Sequence, residues 1–150
     1  MSQAFAHLSP KVWHYTTLSA LQPILESGEL RPGNHGGIYA VPLLWFSANQ
    51  EWEPMAASLF QRPRASVPAL RFGMGLDDPR LHNWRDTLHI AKRNRQQRRQ
   101  AEAIAVKNGS SPTDWYTTLC AVPLDQLDYQ TWWGGQWLPA ECRAFSAFTP

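Results

Sequence analysis

Val12-Trp13-His14-Tyr15-Thr16, followed by Thr17-Leu18-Ser19-Ala20-Leu21-Gln22-Pro23-Ile24-Leu25-Glu26-Ser27-Gly28, switches pattern part-way. Aromatic and β-branched residues dominate the first five positions, which predicts a short strand. Leu18, Leu21, Ile24 and Leu25 then recur at helical spacing, with Thr17 or Ser19 as the N-cap and Gly28 as the stop. Pro23 argues against a long regular helix and predicts an irregular first turn. Leu30 to Gly37 is a loop by its glycine and proline density. Ile38–Val41 and Leu43–Ser47 read as extended segments broken at Pro42. Ala48–Pro54 reads as a loop, Met55–Phe60 as a helical turn and Val67–Phe72 as another strand.

Asp77 or Asp78 before Pro79 resembles a helix start, and a helical pattern runs from there towards Lys107. Asn108-Gly109 stops it. Ser111-Pro112-Thr113-Asp114 reads as a cap and tight turn, and Trp115–Val122 as a strand. Leu127–Trp133, Gly134-Gly135 and Gln136–Leu138 read as a hairpin, because Gly-Gly suits a two-residue turn. Strands at both ends with helices between them predict an α+β fold.

The 150 residues fit one domain, 43% hydrophobic and 17% charged, which excludes a disordered chain. Eight tryptophans are enough to fill much of so small a core, and some are expected to line a cleft, where flat rings stack on bases or nicotinamide. Two cysteines, Cys120 and Cys142, are too few for a disulfide scaffold or a thiolate metal site. With no apolar leader and no run of the ~18 apolar residues a span requires, a cytoplasmic protein with no membrane partner is expected.

Net charge is +2, unevenly placed. Residues 80–107 hold eight basic and two acidic side chains, a net +6, against −4 elsewhere. Lys92, Arg93, Arg95, Arg98 and Arg99 form the densest cluster. Residues 92–100 contain no apolar side chain, so they read as an exposed arm or frayed helix and as a candidate nucleic-acid contact. No aromatic interleaves with these arginines, so no stacking platform is expected within the arm.

His7, His14, His35, His82 and His89 pair with no other His or Cys at a zinc spacing, so no metal site is expected. His82 and His89 would share a helix face. Gly73-Met74-Gly75 is not a P-loop, no Gly-x-Ser-x-Gly elbow occurs, and neither cysteine has a histidine context for a thiol nucleophile. Glu51 and Glu53 flank Trp52 in what reads as a solvated acidic turn.

Three segments carry a resemblance. They are Trp13-His14-Tyr15-Thr16-Thr17-Leu18 with the helix that ends at Gly28-Glu29-Leu30-Arg31-Pro32, Leu44-Trp45-Phe46-Ser47-Ala48-Asn49, and Trp115-Tyr116 leading to Tyr129-Gln130-Thr131-Trp132. Together they resemble the ADP-ribosyltransferase superfamily, in its small bacterial and phage-type branch with an early His-x-Thr segment. The match covers the first 50 residues best and the last 40 loosely. It implies one domain over 1–150 with a split β-sheet core, flanking helices and an NAD cleft.

On that resemblance His14, Tyr15 and Thr16 would hold NAD, with Ser47 positioning it and Arg31 near a phosphate. A later-strand glutamate in the family stabilises the oxocarbenium-like transition state. Gln130 stands at that place here, and Glu141 is the other candidate. The implied activity is transfer of ADP-ribose from NAD to a protein or nucleic-acid acceptor. The rival is a non-catalytic nucleotide- or nucleic-acid-binding or inhibitor module on the same scaffold. RNA 2′-phosphate transfer ranks lower, because that family's arginine and histidine signature is incomplete here.

Overall fold

A computed structural model describes residues 10–34, 39–57 and 69–140. His7, His35, Ile38, Val67, Glu141 and Cys142, and the 58–60 end of the expected helical turn, lie outside them. The strands are β1 (Lys11–Thr17), β2 (Glu29–Leu30), β3 (Leu44–Ser47), β4 (Ala69–Gly75), β5 (His82–Asn83), β6 (Trp115–Thr118), β7 (Val122–Pro123), β8 (Asp128–Trp133) and β9 (Gln136–Ala140). The helices are α1 (Leu18–Ser27), α2 (Pro54–Ala57), α3 (Trp84–Ile90) and α4 (Arg95–Lys107). Seven strands form one antiparallel sheet in the order β5-β6-β3-β1-β4-β8-β9, and β2 pairs with β7. The fold is therefore α+β.

Strand alternation splits β1 between two layers. Val12, His14 and Thr16 face one side, opposite Met74, Phe72 and Leu70 of β4. Here α1 and the β2–β7 ribbon bury Leu21, Leu30, Val122, Leu124 and Leu127 against Val12, Phe46 and Phe72. Trp13 and Tyr15 face the other side, where they cluster with Trp52 and Ala69 and with the half-buried Trp132 and Trp137.

Local chemistry explains the element ends. Thr17 caps α1, its Oγ1 accepting from the Ala20 amide at 3.3 Å. Pro23 sits inside the ten-residue helix without ending it, and Gly28 closes it at φ 74°. The β8–β9 hairpin turns through Gly134 and Gly135 at φ 61° and 80°, the positive values a two-residue turn of this kind requires.

Several expectations are corrected. Asp77-Asp78-Pro79 starts no helix, because the Asp78 carboxylate is bonded to the Arg80 backbone and guanidinium. The helix starts at Trp84, capped by Asn83. His82 therefore sits on a strand and shares no helix face with His89. The predicted continuous helix breaks after Ile90, where the Arg93 amide bonds Leu88 O (2.9 Å) and the Lys92 amide bonds His89 O (3.1 Å). That is a Schellman closure with Lys92, at φ 54°, in the place glycine usually takes. Beyond it α4 is not frayed: Asn94 and Gln97 form a reciprocal capping box. Trp115–Val122 is two strands in different sheets, broken at Leu119–Ala121. Residues 39–41 bend instead of pairing. No helix among the described residues is long and apolar enough to cross a membrane.

Candidate functional site

The ladder between β1 and β3 consists of one registered pair, Trp13 with Ser47. Beyond it the His14 ring takes the place of a backbone donor, its Nδ1 bonded to Trp45 O at 2.8 Å. A carbonyl only accepts, so Nδ1 carries the proton. A cleft of about 480 Å³ lies at this opening, a size typical of small-molecule sites. Its walls include Trp13, His14 and Tyr15 from β1, Leu44–Ser47 from β3, and Tyr39, Trp115, Arg31 and Glu53.

The cleft thus unites four of the expected NAD contacts: His14, Tyr15, Arg31 and Ser47. Thr16 shares the His14 side of β1 but is buried and is not part of the cleft wall. Arg31 stands exposed at the edge, its Nε bonded to Glu29 at 2.9 Å. Gln130 is also elsewhere. Its Oε1 accepts from Arg71 Nε at 2.7 Å.

Two buried charged groups were not expected from the sequence. The first is Glu53, which is 5% exposed and not part of a solvated turn, whereas Glu51 is exposed. Its burial follows from how the 47–55 segment folds. Ser47 Oγ accepts from the Asn49 amide, and Asn49 Oδ1 accepts from the Glu51 and Trp52 amides, curling the chain back. Glu53 Oε2 then accepts from Ser47 Oγ at 2.6 Å, and Oε1 accepts from Ser110 Oγ and from the Met55 amide at the start of α2. Three donors leave part of a carboxylate's acceptor capacity for a further partner. No cation pairs with Glu53 among the described residues.

The second is Arg71, 4% exposed. Its guanidinium lies 4.1 Å from the Trp13 ring and 4.3 Å from the Trp137 ring. It donates to Gln130, to Gln50 O at 2.8 Å and to Tyr15 Oη at 3.5 Å. Two ring faces and three oxygens replace a carboxylate counter-ion. Burial lowers its pKa from the usual guanidinium value. Tyr15 links the two groups, because its hydroxyl also accepts from the Glu53 amide at 3.1 Å. Burial raises the Tyr15 pKa, so the phenol stays protonated and donates to Asn49 O.

Asp114 reports on the same carboxylate. Burial, and then the charge of Glu53, raise its pKa above the ordinary value. A carboxyl held above its unfolded value binds protons more readily when folded, so stability falls as pH rises from the unfolded towards the folded pKa. Asp114→Asn is therefore expected to stabilise the protein at pH 7 by on the order of 0.5 kcal/mol, the scale of a part-exposed substitution. Below the unfolded pKa both forms are neutral and the gain vanishes. Urea midpoints at pH 7 and at low pH check this. An Asn variant no more stable at pH 7 would remove the repulsion.

Among the described residues no cluster of His, Cys, Asp or Glu could hold a metal ion. Compared with protein-family models, curated proteins and solved structures, the chain matches none of them.

Proposed function

We propose that the β1–β3 cleft binds NAD and that the protein is an ADP-ribosyltransferase-like enzyme. One observation carries this reading: a buried carboxylate, Glu53, hydroxyl-bonded and set in an aromatic cleft beside His14. Trp45, Trp115 and Tyr39 offer flat faces to nicotinamide or adenine, and Arg31 offers a cation to phosphate.

Glu53 takes the role first given to Gln130 or Glu141. The bond between nicotinamide and C1′ of its ribose breaks, and its electron pair leaves with nicotinamide. Positive charge grows on the ribose, and a nearby fixed carboxylate stabilises it. An acceptor nucleophile on a protein or nucleic acid then bonds C1′ and releases its proton to solvent.

A non-catalytic nucleotide-binding module is the second reading. It is favoured by Gln130, an uncharged amide that is bonded to Arg71 and does not line the cleft. Calorimetry with NAD, a nicotinamide-release assay and labelled NAD in lysate separate the two. The enzyme reading expects binding, release and transferred label. Binding alone supports the module, and the absence of all three overturns both.

A further inference from the structure

The basic segment and the cleft, far apart in sequence, are joined in space. Arg93 lies with its guanidinium 4.5 Å from the Tyr39 ring, and Tyr39 packs 5.4 Å from Trp45. Both aromatics are cleft residues. A second link runs from α4 itself. Arg98 Nε donates to Glu102 Oε1 at 2.8 Å, which also accepts from Trp84 Nε1 at 2.9 Å. Trp84 in turn packs edge-on to Trp115, 5.2 Å away on the cleft wall. Glu102 and the buried Ala105 mark the inner side of α4, while Lys92, Arg95 and Arg99 are exposed. The aromatics that the arm lacks in sequence are supplied by β3, β6 and the 39–41 bend.

We propose that Lys92–Arg99 and the Tyr39–Trp45–Trp115 wall form one binding site for single-stranded nucleic acid. Arg95 and Arg99, one helical turn apart, meet backbone phosphates, and an unstacked base meets the aromatic wall. Cations beside flat rings are the combination that single-strand binding uses. A duplex hides its base faces, and an acidic peptide gains the charge contacts but is repelled by ring faces, which carry negative potential. The site stands independently of NAD chemistry, and because it shares the Tyr39–Trp45–Trp115 wall a base bound there competes with NAD.

Fluorescence anisotropy tests it with a labelled mixed-sequence strand of about 12 nucleotides, within the footprint of one binding module. The matching duplex and polyglutamate serve as competitors, over about 50–200 mM salt. Saturable single-strand binding is expected, with log K falling linearly in log salt. The R95Q/R99Q variant should bind about tenfold more weakly, with a slope shallower by about 1.4, the value for two phosphate contacts on a single strand. Both positions are exposed, so the variant folds, and its NAD affinity by calorimetry stays unchanged. Tyr39→Leu should weaken single-strand binding by about tenfold, the scale of one lost base stack, without changing the slope. The proposal is overturned by absence of binding at low salt, by duplex or polyglutamate competing equally, or by an unchanged slope in R95Q/R99Q. Failure of the NAD assays leaves the oligonucleotide result standing, so the two ideas fail separately.

Discussion

Glu53→Gln should lower NAD cleavage by about 10²–10³-fold, the usual cost of removing one electrostatic stabiliser of a charged transition state. The substitution keeps the side chain's shape. One amide oxygen can still accept from a serine, while the new NH₂ group turns the other hydroxyl from donor to acceptor. Ser47 and Ser110 can both rotate their hydroxyl protons, so folding should survive. NAD affinity should change only a few-fold, because the aromatic walls and Arg31 are untouched. The loss should therefore appear in turnover and not in binding. Glu53→Ala is a poorer probe, since it leaves two buried hydroxyls without their acceptor at about 1–3 kcal/mol for each unsatisfied group. Nicotinamide-release rates and calorimetry on wild type and E53Q decide the matter. Equal turnover would move the chemistry off Glu53 and return Glu141 to consideration.

What could be read from sequence divides by the distance over which the cause acts. Thr17, Gly28 and the Gly134-Gly135 turn act on their own neighbours, and each does in the structure what its residue type predicts. The break at Lys92 was hidden because its closure uses neither glycine nor proline. Glu53 read as solvated because its immediate neighbours are polar, yet one of its hydroxyl partners, Ser110, is 57 positions away. Gln130 read as a catalytic position because its strand matched a family pattern. In the structure its side-chain oxygen accepts from the buried Arg71, 59 positions away, outside the cleft wall. His14, Tyr15, Arg31 and Ser47 line one cleft, and the strand–helix and strand motifs that contain them are local. That those motifs face each other across an interrupted ladder is a fact of pairing, which periodicity does not encode.

The same distant pairing makes one glycine a sharp test of the cluster behind the cleft. Gly73 of β4 stands directly opposite Trp13. A Cβ built there falls 2.4 Å from one Trp13 ring carbon and within 3.0 Å of two more. The indole cannot simply swing away. Its Nε1 donates to Gln50 Oε1 at 3.0 Å, and Arg71 stacks on the ring. Gly73→Ala must therefore displace the ring, at an overpacking cost of about 1–3 kcal/mol. It must also loosen the hydrogen bond and the cation contact, each on the order of 1 kcal/mol. A loss of about 3 kcal/mol is expected, a large share of the 5–15 kcal/mol that holds a typical domain together. A double-mutant cycle assigns the cause. On a Trp13→Leu background the same alanine should cost less than about 1 kcal/mol, giving a coupling near 2 kcal/mol between two touching sites. Guanidinium melts of the four proteins supply the numbers. If the alanine costs the same with and without the indole, the penalty belongs to the β4 backbone. Trp13 would then not be the residue that requires glycine opposite it, and Arg71 would keep its stacked position without that vacant space.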